Sequence, residues 1–493
     1  MQKHITRIHR MTLMIGLISL PNRLISQTNA SVNQMLQALV NDSDLESAGI
    51  SFRAIDLSND SVVAEYNPKQ GLSPASTTKL FTTATAFQLL GSRYMPSTYL
   101  SYTGKIDSNG VLNGNIIITG KGDPTLGSRF FYPEEKKDTF LSDWIYAIQQ
   151  LGIKKINGTI LADGSDFGYN GVPKGWSWSD MGNYYGAGPS GLVVYDNMTS
   201  LYFSTGSTAG DLSTLDSIRP IIPRLQLDNR VKANNVRGDQ SYVFGAPYSN
   251  DWFIEGSLPL NQSGFRVKAA IPDPELLMAT TFWQALKDSS IESIMPAAAM
   301  RPYYTKKEAW YYDTTLILRY QKYNVNDIAY YTNQRSVNLF AEELLCLIGY
   351  EKLGVGTTEK GLAVEENYWK SRIDVRTIEL TDGSGLSRTN AISSYHFTEL
   401  LKYMDRQKSN AFENTLPVAG KSGTLLHVCK GQAGQGRIVA KSGTMSRIKS
   451  YAGYVNTQSG KKLAFAIIVN NFLGSSSILV NKMEKIFNAM ALL

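Results

Sequence analysis

A serine and a lysine three residues apart are the first pair of side chains in this sequence that could carry out chemistry. Ser76 and Lys79 lie in the segment Pro-Ala-Ser-Thr-Thr-Lys, at the start of an apolar helical pattern. Residues three apart share a helix face, so the Ser76 hydroxyl and the Lys79 amine can meet. A partly buried lysine with a depressed pKa can accept the hydroxyl proton and make the serine a nucleophile. The motif alone is weak, because 446–449 and 459–462 also read Ser-x-x-Lys and an ordinary helix start is the alternative.

A second serine, Ser336, stands two residues before Asn338 at the head of a predicted helix. Its hydroxyl could relay a proton between the base and a leaving amine. The amide of Asn338 could bond a substrate backbone group and Lys79. This tripeptide is also weak, since 31–33 has the same pattern and Asn338 could simply cap its helix.

The third element is Lys441-Ser442-Gly443-Thr444, which follows Ile-Val-Ala and is therefore predicted on an edge strand. Gly443 would let a substrate backbone approach closely. The Lys441 ammonium and the hydroxyls of Ser442 and Thr444 could bind a substrate carboxylate. The same tetrapeptide also occurs at 421–424, and residue chemistry does not choose between the two copies. The copy at 441 leads into an apolar hairpin, as an active-site strand should.

Few residues in this chain could support other kinds of catalysis. Beyond the first thirty residues only His396 and His427 remain, so a zinc site has too few ligands. No Gly-x-Ser-x-Gly segment occurs, which disfavours an α/β-hydrolase triad. Cys346 and Cys429 could pair or remain two buried thiols, because sequence gives no distance between them.

The elements that must position these motifs follow from apolar spacing. The helical segments that this spacing predicts are 31–45, 76–90, 275–287, 337–350 and 477–492. The strand segments are 50–57 and 62–66, which form a hairpin, and 449–456 and 462–470, which form another. Between 96 and 300 short strands and polar turns dominate. Both ends of the chain are thus predicted as mixed helix and sheet around a β-rich middle.

Length and composition indicate a folded protein of several domains. The chain has 493 residues, of which 43% are hydrophobic and 18% charged, so global disorder and a small stapled module are excluded. The net charge is +7, but four of the basic residues lie in the first thirty, which contain no Asp or Glu. A charge of only +3 remains beyond them, which argues against nucleic-acid binding.

The first thirty residues have the layout of a secretory signal. Lys3, Arg7 and Arg10 precede an apolar run over 11–20, and Pro21 ends it. Ten apolar residues cannot span a bilayer, which needs about 20. We therefore expect export to a periplasm or beyond, with an uncleaved amphipathic anchor or a disordered start as the alternatives.

In the order Ser-x-x-Lys, Ser-x-Asn, Lys-Ser-Gly, the three elements resemble the set used by penicillin-binding proteins and serine β-lactamases. The chain is similar to class C penicillin-binding proteins, the D-alanyl-D-alanine carboxypeptidase/endopeptidase family S13 of the penicillin-binding protein 4 type. In that family the first motif is embedded as Pro-Ala-Ser-x-x-Lys, as it is here. The separation of 260 positions from Ser76 to Ser336 resembles the family's large insertion.

Further segments resemble the family along most of the chain: 122–126, 175–180 with 185–187, 382–388 and 416–425. The last segment contains the tetrapeptide at Lys421, which the resemblance assigns to a loop, so Lys441 is left as the catalytic copy. Ser442 replaces the commoner Thr, and Gly188 stands where the family often has Pro. Structural alternatives remain for two segments: the Trp-rich stretch at 176–178 could be packing, and 382–388 could be a tight glycine-built turn.

The resemblance implies an α/β (α+β) fold. Its catalytic domain would be penicillin-binding/serine β-lactamase-like, with an antiparallel sheet flanked by helices, formed by 31–95 and 301–493. The segment 96–300 would be inserted as one or two β-rich subdomains, with two expected, and 1–30 would be the signal peptide.

The resemblance also implies the reaction. Ser76 would attack the carbonyl of the penultimate D-Ala of a peptidoglycan stem peptide, with Lys79 as base, and Ser336 would pass the proton to the leaving group. The backbone N–H groups of Ser76 and Thr444 would hold the oxyanion. The full catalytic set is Ser76, Lys79, Ser336, Asn338 and Lys441, and the substrate-binding set is Ser442, Gly443, Thr444, Asp180 and Tyr185. No cofactor is needed, and the expected partners are peptidoglycan peptides and β-lactams, with no nucleic acid.

Three other functions compete with a carboxypeptidase. A β-lactam sensor that is acylated without turnover would keep all three motifs, and only deacylation kinetics separates it. A β-lactamase is disfavoured by the long insertion. A degenerate structural protein of the envelope is disfavoured by the intact set of motifs.

Overall fold

The structure is a computed structural model that describes residues 31–304, 313–407 and 409–493. The predicted signal peptide, 1–30, lies outside the described residues. Within these three stretches, no helix combines the length and the apolar character needed to cross a membrane.

Helices and strands occur in all three described stretches of the chain. The helices are α1 (31–40), α2 (Lys79–Leu89), α3 (Thr139–Gln150), α4 (Trp178–Met181), α5 (Pro274–Asp288), α6 (Arg301–Tyr304), α7 (Val325–Gln334), α8 (Asn338–Leu353), α9 (Thr358–Lys370), α10 (Ser394–Asp405), α11 (Ala411–Asn414) and α12 (Ser476–Ala491). The strands are β1 (Gly49–Asp56), β2 (Val62–Tyr66), β3 (Ser97–Thr103), β4 (Lys105–Ile106), β5 (Val111–Asn113), β6 (Ile116–Lys121), β7 (Lys155–Ile156), β8 (Ile160–Asp163), β9 (Met198–Ser204), β10 (Thr214–Arg219), β11 (Gln226–Asn234), β12 (Gln240–Phe244), β13 (Asp251–Pro259), β14 (Phe265–Ala270), β15 (Glu292–Ser293), β16 (Ala298–Ala299), β17 (Thr314–Tyr320), β18 (Ile438–Met445), β19 (Ile448–Asn456) and β20 (Lys462–Asn470).

The chain divides into two compact units. Unit 1 contains the described residues up to Pro74 together with Ile392–Arg406 and Leu416–Leu493. Unit 2 contains the described residues of Ala75–Ala391 and of Gln407–Thr415. The predicted partition into 31–95 with 301–493 and an insertion over 96–300 is a different one and stays a prediction.

Unit 1 is built on one five-stranded antiparallel sheet with the strand order β18-β19-β20-β1-β2. Strand residues alternate between the two faces. On β1, Phe52 and Ala54 join a core that also takes the apolar stripes of α1 and α12. On the other face Ser51 bonds the Ser394 hydroxyl of α10 at 2.9 Å, so helices cover both faces. This explains why β20 is buried along almost its whole length.

Unit 2 contains the remaining four sheets. Three are mixed, with the orders β16-β8-β6-β3-β17, β15-β7-β5-β4 and β11-β13-β12, and the fourth, β10-β9-β14, is antiparallel. Trp144 of α3 anchors the core beside the first two of these sheets, where its ring meets Phe282 edge to face at 5.3 Å. A separate helical core surrounds α8, whose Phe340, Leu344 and Ile348 are buried at helical spacing.

Two predicted helices differ from the structure for local reasons. The predicted helix over 31–45 stops at residue 40, because Asp42 accepts a bond from the Asp44 N–H and starts a separate 3₁₀ turn, Ser43–Leu45. The helix predicted from Ser76 begins as a 3₁₀ turn, Ala75–Thr78, and becomes α-helical only at Lys79. The two predicted hairpins agree with the structure to within one residue at each strand end.

Candidate active site

The 3₁₀ turn before α2 positions the first motif. Side chains at i and i+3 eclipse in a 3₁₀ turn, so Ser76 and Lys79 point to the same side. The turn starts at Ala75, which has a φ of 49°, and Gly385 packs directly on it. A Cβ on Gly385 would lie 2.0 Å from the Ala75 carbonyl oxygen, so only glycine fits there. The result is a distance of 3.0 Å between Lys79 Nζ and Ser76 Oγ.

Lys79 is fully buried and is held by three oxygen atoms. Besides Ser76 Oγ, its Nζ lies 2.6 Å from Asn338 Oδ1 and 2.7 Å from the Ser384 carbonyl oxygen. Burial lowers the pKa of Lys79 to about 7, against the opposing influence of the Asp382 and Glu342 carboxylates. A neutral amine donates two hydrogen bonds, which the amide and carbonyl oxygens accept, and its lone pair is then left for the Ser76 hydroxyl hydrogen.

The second motif meets the first through Asn338. Asn338 is the first residue of α8, and its Nδ2 donates to the Tyr185 carbonyl oxygen at 2.8 Å while its Oδ1 accepts from Lys79. Both atoms therefore bond outside the helix, and the alternative that Asn338 caps α8 is wrong. Ser336 precedes the helix at a φ of 58°, a strained conformation for a residue other than glycine.

The loop at 382–388 carries part of the site. Asp382 is buried and accepts bonds from the Gly385 and Ser387 N–H groups, from Asn390 and from Trp176 Nε1 at 2.9 Å. The tight turn anticipated from sequence is present, and the same turn aims the Ser384 carbonyl at Lys79. Trp176 thus acts as a packing and hydrogen-bonding residue beneath this loop, whereas Trp178 is half exposed.

Glu342 is a residue that the sequence analysis missed. It lies four residues after Asn338 on α8, fully buried, and accepts from the Ser384 N–H at 2.8 Å and the Gly383 N–H at 3.1 Å. Burial, and secondarily the Asp382 charge, raises the pKa of Glu342 to about 8. The available signal was an acidic residue one helical turn from the motif, on the same face of the helix and within its largely apolar first three turns.

Asp180 and Tyr185 lie beside Asn338. The Tyr185 hydroxyl donates to Asp180 Oδ1 at 3.2 Å, and both side chains are half-buried. Burial raises the pKa of Asp180, while the Tyr185 hydrogen bond and the Arg388 charge oppose that rise. Within unit 2, hydrogen bonds therefore join Ser76, Lys79, Asn338, Tyr185 and Asp180 into one chain.

The third motif belongs to unit 1, on the edge strand β18 as predicted. Lys441 is fully buried and donates to the Ser442 carbonyl oxygen at 2.7 Å. Ser442 Oγ donates to Thr424 Oγ1 at 2.8 Å, and Thr444 Oγ1 accepts from Lys449 Nζ at 2.7 Å. The sequence analysis also missed the contact of Lys449 with the third motif, because it treated Lys449 only as part of a chance Ser-x-x-Lys match.

The competing tetrapeptide has a different structure. Lys421 is exposed in a turn, and its Gly423 and Thr424 belong to a short 3₁₀ helix, Gly423–Leu425. The prediction that this copy lies in a loop is confirmed. Cys346 and Cys429 are two buried free thiols, which resolves that alternative. No group of three or more His, Cys, Asp or Glu side chains within the described ranges could hold a metal ion.

Comparison with known proteins identifies the family. The chain matches the model of the D-Ala-D-Ala carboxypeptidase 3 (S13) family over residues 32–491. The chain belongs to this family. It is 26% identical over 458 residues to a D-alanyl-D-alanine carboxypeptidase of Actinomadura sp. (strain R39), covering 90% of this chain and 82% of that protein.

Solved structures show the same fold. The crystal structure of penicillin-binding protein 4 (dacB) from Haemophilus influenzae is similar with a TM-score of 0.80 and 22% identity, covering 94% of this chain and 99% of that chain. The structure of that protein complexed with a β-lactam has a TM-score of 0.74 at 21% identity and covers 94% of this chain and 100% of that chain. The recognised family, the fold class and the serine-type D-Ala-D-Ala carboxypeptidase function are thereby confirmed. The residues assigned to that function stay predictions.

Proposed function

We propose that this protein cleaves the terminal D-Ala–D-Ala bond of peptidoglycan stem peptides, and related peptide cross-links, through an acyl-enzyme on Ser76. The observation that carries this assignment is the buried Lys79 amine 3.0 Å from the Ser76 hydroxyl in a member of the S13 family. A buried lysine with a pKa of about 7 is a suitable base at neutral pH.

Acylation starts with proton transfer from the Ser76 hydroxyl to the neutral Lys79 amine. Ser76 Oγ then forms a bond to the carbonyl carbon of the penultimate D-Ala, and the C–N bond to the last D-Ala breaks. The leaving amine takes the proton from Lys79 by way of the Ser336 hydroxyl. Asn338 and the Ser384 carbonyl hold the Lys79 amine in place while its charge changes.

Deacylation reverses these roles. Water attacks the acyl carbon, Lys79 accepts a proton from it, and the proton returns to Ser76 Oγ as the shortened peptide leaves with a new carboxylate. A β-lactam ring presents an amide to the same nucleophile, but its leaving amine stays tethered to the acyl group and hydrolysis is slow. This accounts for β-lactam binding by the same residues.

The remaining predicted residues recognise the two ends of the peptide. Lys441, Ser442 and Thr444 supply positive charge and hydroxyl groups for the carboxylate of the last D-Ala, and Gly443 leaves room for its backbone. At the other end, Asp180 with Tyr185 recognises the ammonium of a diaminopimelate side chain. An anion that is bonded to a tyrosine hydroxyl and half shielded from water suits such a cation.

The site of action we propose is the periplasm. This rests on the signal-like pattern of the first thirty residues and on the family's substrate, which is cell-wall peptide.

The decisive experiment is mass spectrometry of the purified protein during exposure to penicillin, combined with an assay of D-Ala release. We expect one adduct, on the peptide that contains Ser76, followed by slow loss of that adduct, and release of D-Ala from a D-Ala-D-Ala peptide. An adduct that persists without any D-Ala release would identify a β-lactam sensor instead. An adduct on another serine would refute the assignment of the nucleophile.

A further inference from the structure

Lys449 lies opposite Thr444 in the β18–β19 pair. The register aligns Thr444 with Lys449 and Ser442 with Tyr451, so these four side chains share one face of the sheet. Lys449 Nζ is 2.7 Å from Thr444 Oγ1 and 4.9 Å from the centre of the Tyr451 ring. Thr444 is exposed, whereas Lys449 is only 9% exposed. The buried Lys449 amine is therefore hydrogen-bonded to an exposed hydroxyl, that of the predicted substrate-binding residue Thr444.

The charge of Lys449 has no counterion among the described residues. Burial lowers the pKa of Lys449 to about 8, and no carboxylate opposes this effect. Because a pKa of about 8 is still above 7, the amine is largely protonated at neutral pH. Lys462, on the next strand, provides the contrast. Its Nζ also lies over a tyrosine ring, that of Tyr454 at 4.5 Å, but it pairs with Asp405 at 2.6 Å.

A buried ammonium without an anion lowers the stability of the free protein, and a ligand anion that binds to it offsets this cost. A hydroxyl and a tyrosine face are weak compensation for a charge removed from water. A carboxylate that reached the exposed Thr444 hydroxyl would meet the ammonium that is already bonded to that hydroxyl, and a charge-assisted bond to it would be strong because water is largely excluded.

We propose that Lys449 and Thr444 together bind the free carboxylate of the residue that leaves, which in a D-Ala-D-Ala peptide is the C-terminal carboxylate, so that Lys449 makes the enzyme select substrates that carry this charge. This inference rests on the proposed carboxypeptidase function. It adds a cation on the neighbouring strand β19 to the residues of the Lys-Ser-Gly-Thr motif itself.

The test compares two substrates that differ in one charge. Release of D-alanine from diacetylated lysyl-D-Ala-D-Ala is measured beside release of D-alaninamide from the same peptide with an amidated terminus. The variants are Lys449→Met, which keeps the apolar stem of the side chain, Thr444→Val, the double variant, and Lys421→Met as a control at an exposed lysine. Thermal melting is measured for each variant.

For Lys449→Met we expect kcat/KM for the carboxylate peptide to fall by about tenfold to a hundredfold, the range of one charge-assisted hydrogen bond. With the amidated peptide the change should stay below about threefold. The melting temperature should not fall, because an apolar side chain replaces a buried charge. Lys421→Met should behave as the wild type on both substrates.

Two results would overturn the inference. Equal losses on both peptides, with a double variant no worse than Thr444→Val, would mean that Lys449 only orients the threonine. No loss on either peptide would mean that the ammonium does not reach the substrate. Failure of the wild-type protein to release D-Ala from the carboxylate peptide would refute the proposed function itself, and that result is distinguishable from both.

Discussion

Two buried lysines, Lys79 in unit 2 and Lys449 in unit 1, occupy opposite kinds of environment. Desolvation lowers the pKa of both, to about 7 and about 8. Lys79 is held by three oxygen atoms, and the carboxylates of Asp382 and Glu342 act on it. Lys449 has one hydroxyl and one tyrosine face. The proposed base therefore keeps permanent partners in both of its protonation states, whereas the lysine that we propose receives a substrate anion has no anion of its own among the described residues.

Removing Ser76, the predicted nucleophile, should have the largest effect of all the changes near Lys79. Ser76→Ala should lower peptidase turnover by about a thousandfold or more, the scale of losing an attacking group, and should abolish the penicillin adduct. The measurements are D-Ala release and adduct mapping by mass spectrometry. If the adduct mapped to Ser446 or Ser459, the other serines with a lysine three residues on, Lys79 would lose its role as base.

The two copies of the Lys-Ser-Gly-Thr tetrapeptide test whether the copy on the edge strand β18 is the functional one. Lys441→Ala removes a fully buried ammonium from the predicted carboxylate site and should slow acylation by about tenfold to a hundredfold, the worth of a charged hydrogen bond. Lys421→Ala removes an exposed lysine from a turn and should be mild. Acylation rates with penicillin measure both. A reversal of the two effects would show that the edge-strand copy is the structural one.

Hydrogen bonds lead from Lys79 through Asn338 and Tyr185 to Asp180, the residue proposed to recognise the ammonium at the far end of the substrate. Asp180→Asn keeps shape but removes charge, so kcat/KM for a diaminopimelyl peptide should fall about tenfold, or about 1.4 kcal/mol. Activity on diacetylated lysyl-D-Ala-D-Ala, which lacks the ammonium, should barely change. Equal losses on both peptides would make Asp180 a structural residue.

The smallest expected effect is a shift in the pH dependence of activity when Glu342, which acts on Lys79, loses its charge. Activity should rise with pH through about 7 in the wild type, because Lys79 must lose its proton to act as a base. Glu342→Gln removes a charge that raises the pKa of Lys79, so this acidic limb should move to lower pH. Because Glu342 itself has a pKa of about 8, only part of its charge is present near neutrality, and the shift should be less than about one pH unit.

The measurement is the pH profile of kcat/KM, with Glu366→Gln, an exposed acid on α9, as the matched control. A fall in rate at all pH values without a shift of the limb would mean that Glu342 serves only to hold the 382–388 loop.

Patterns within one segment were enough to predict much of the site. Short segments rich in apolar residues predicted both hairpins of the unit 1 sheet. The signal is strongest in β19 and β20, which are buried along almost their whole length because both faces of the sheet are covered. The spacing of Ser76 and Lys79 predicted their contact, although the turn between them is 3₁₀ and not α-helical. That difference depends on the backbone of Ala75 and on the packing of Gly385, which is more than 300 residues away along the chain.

Residue types and short-range spacing thus predicted the contact between Ser76 and Lys79 and the strand that carries Lys441, because each of these features depends on residues close together along the chain. Only the tertiary structure decided the charges around them. Glu342 and Asp382 influence Lys79 because a loop from 382–388 folds against α2 and α8, and Lys449 faces Thr444 because a strand register sets them opposite each other. A pKa depends on burial and on charges a few ångströms away in space, and distance along the chain carries neither.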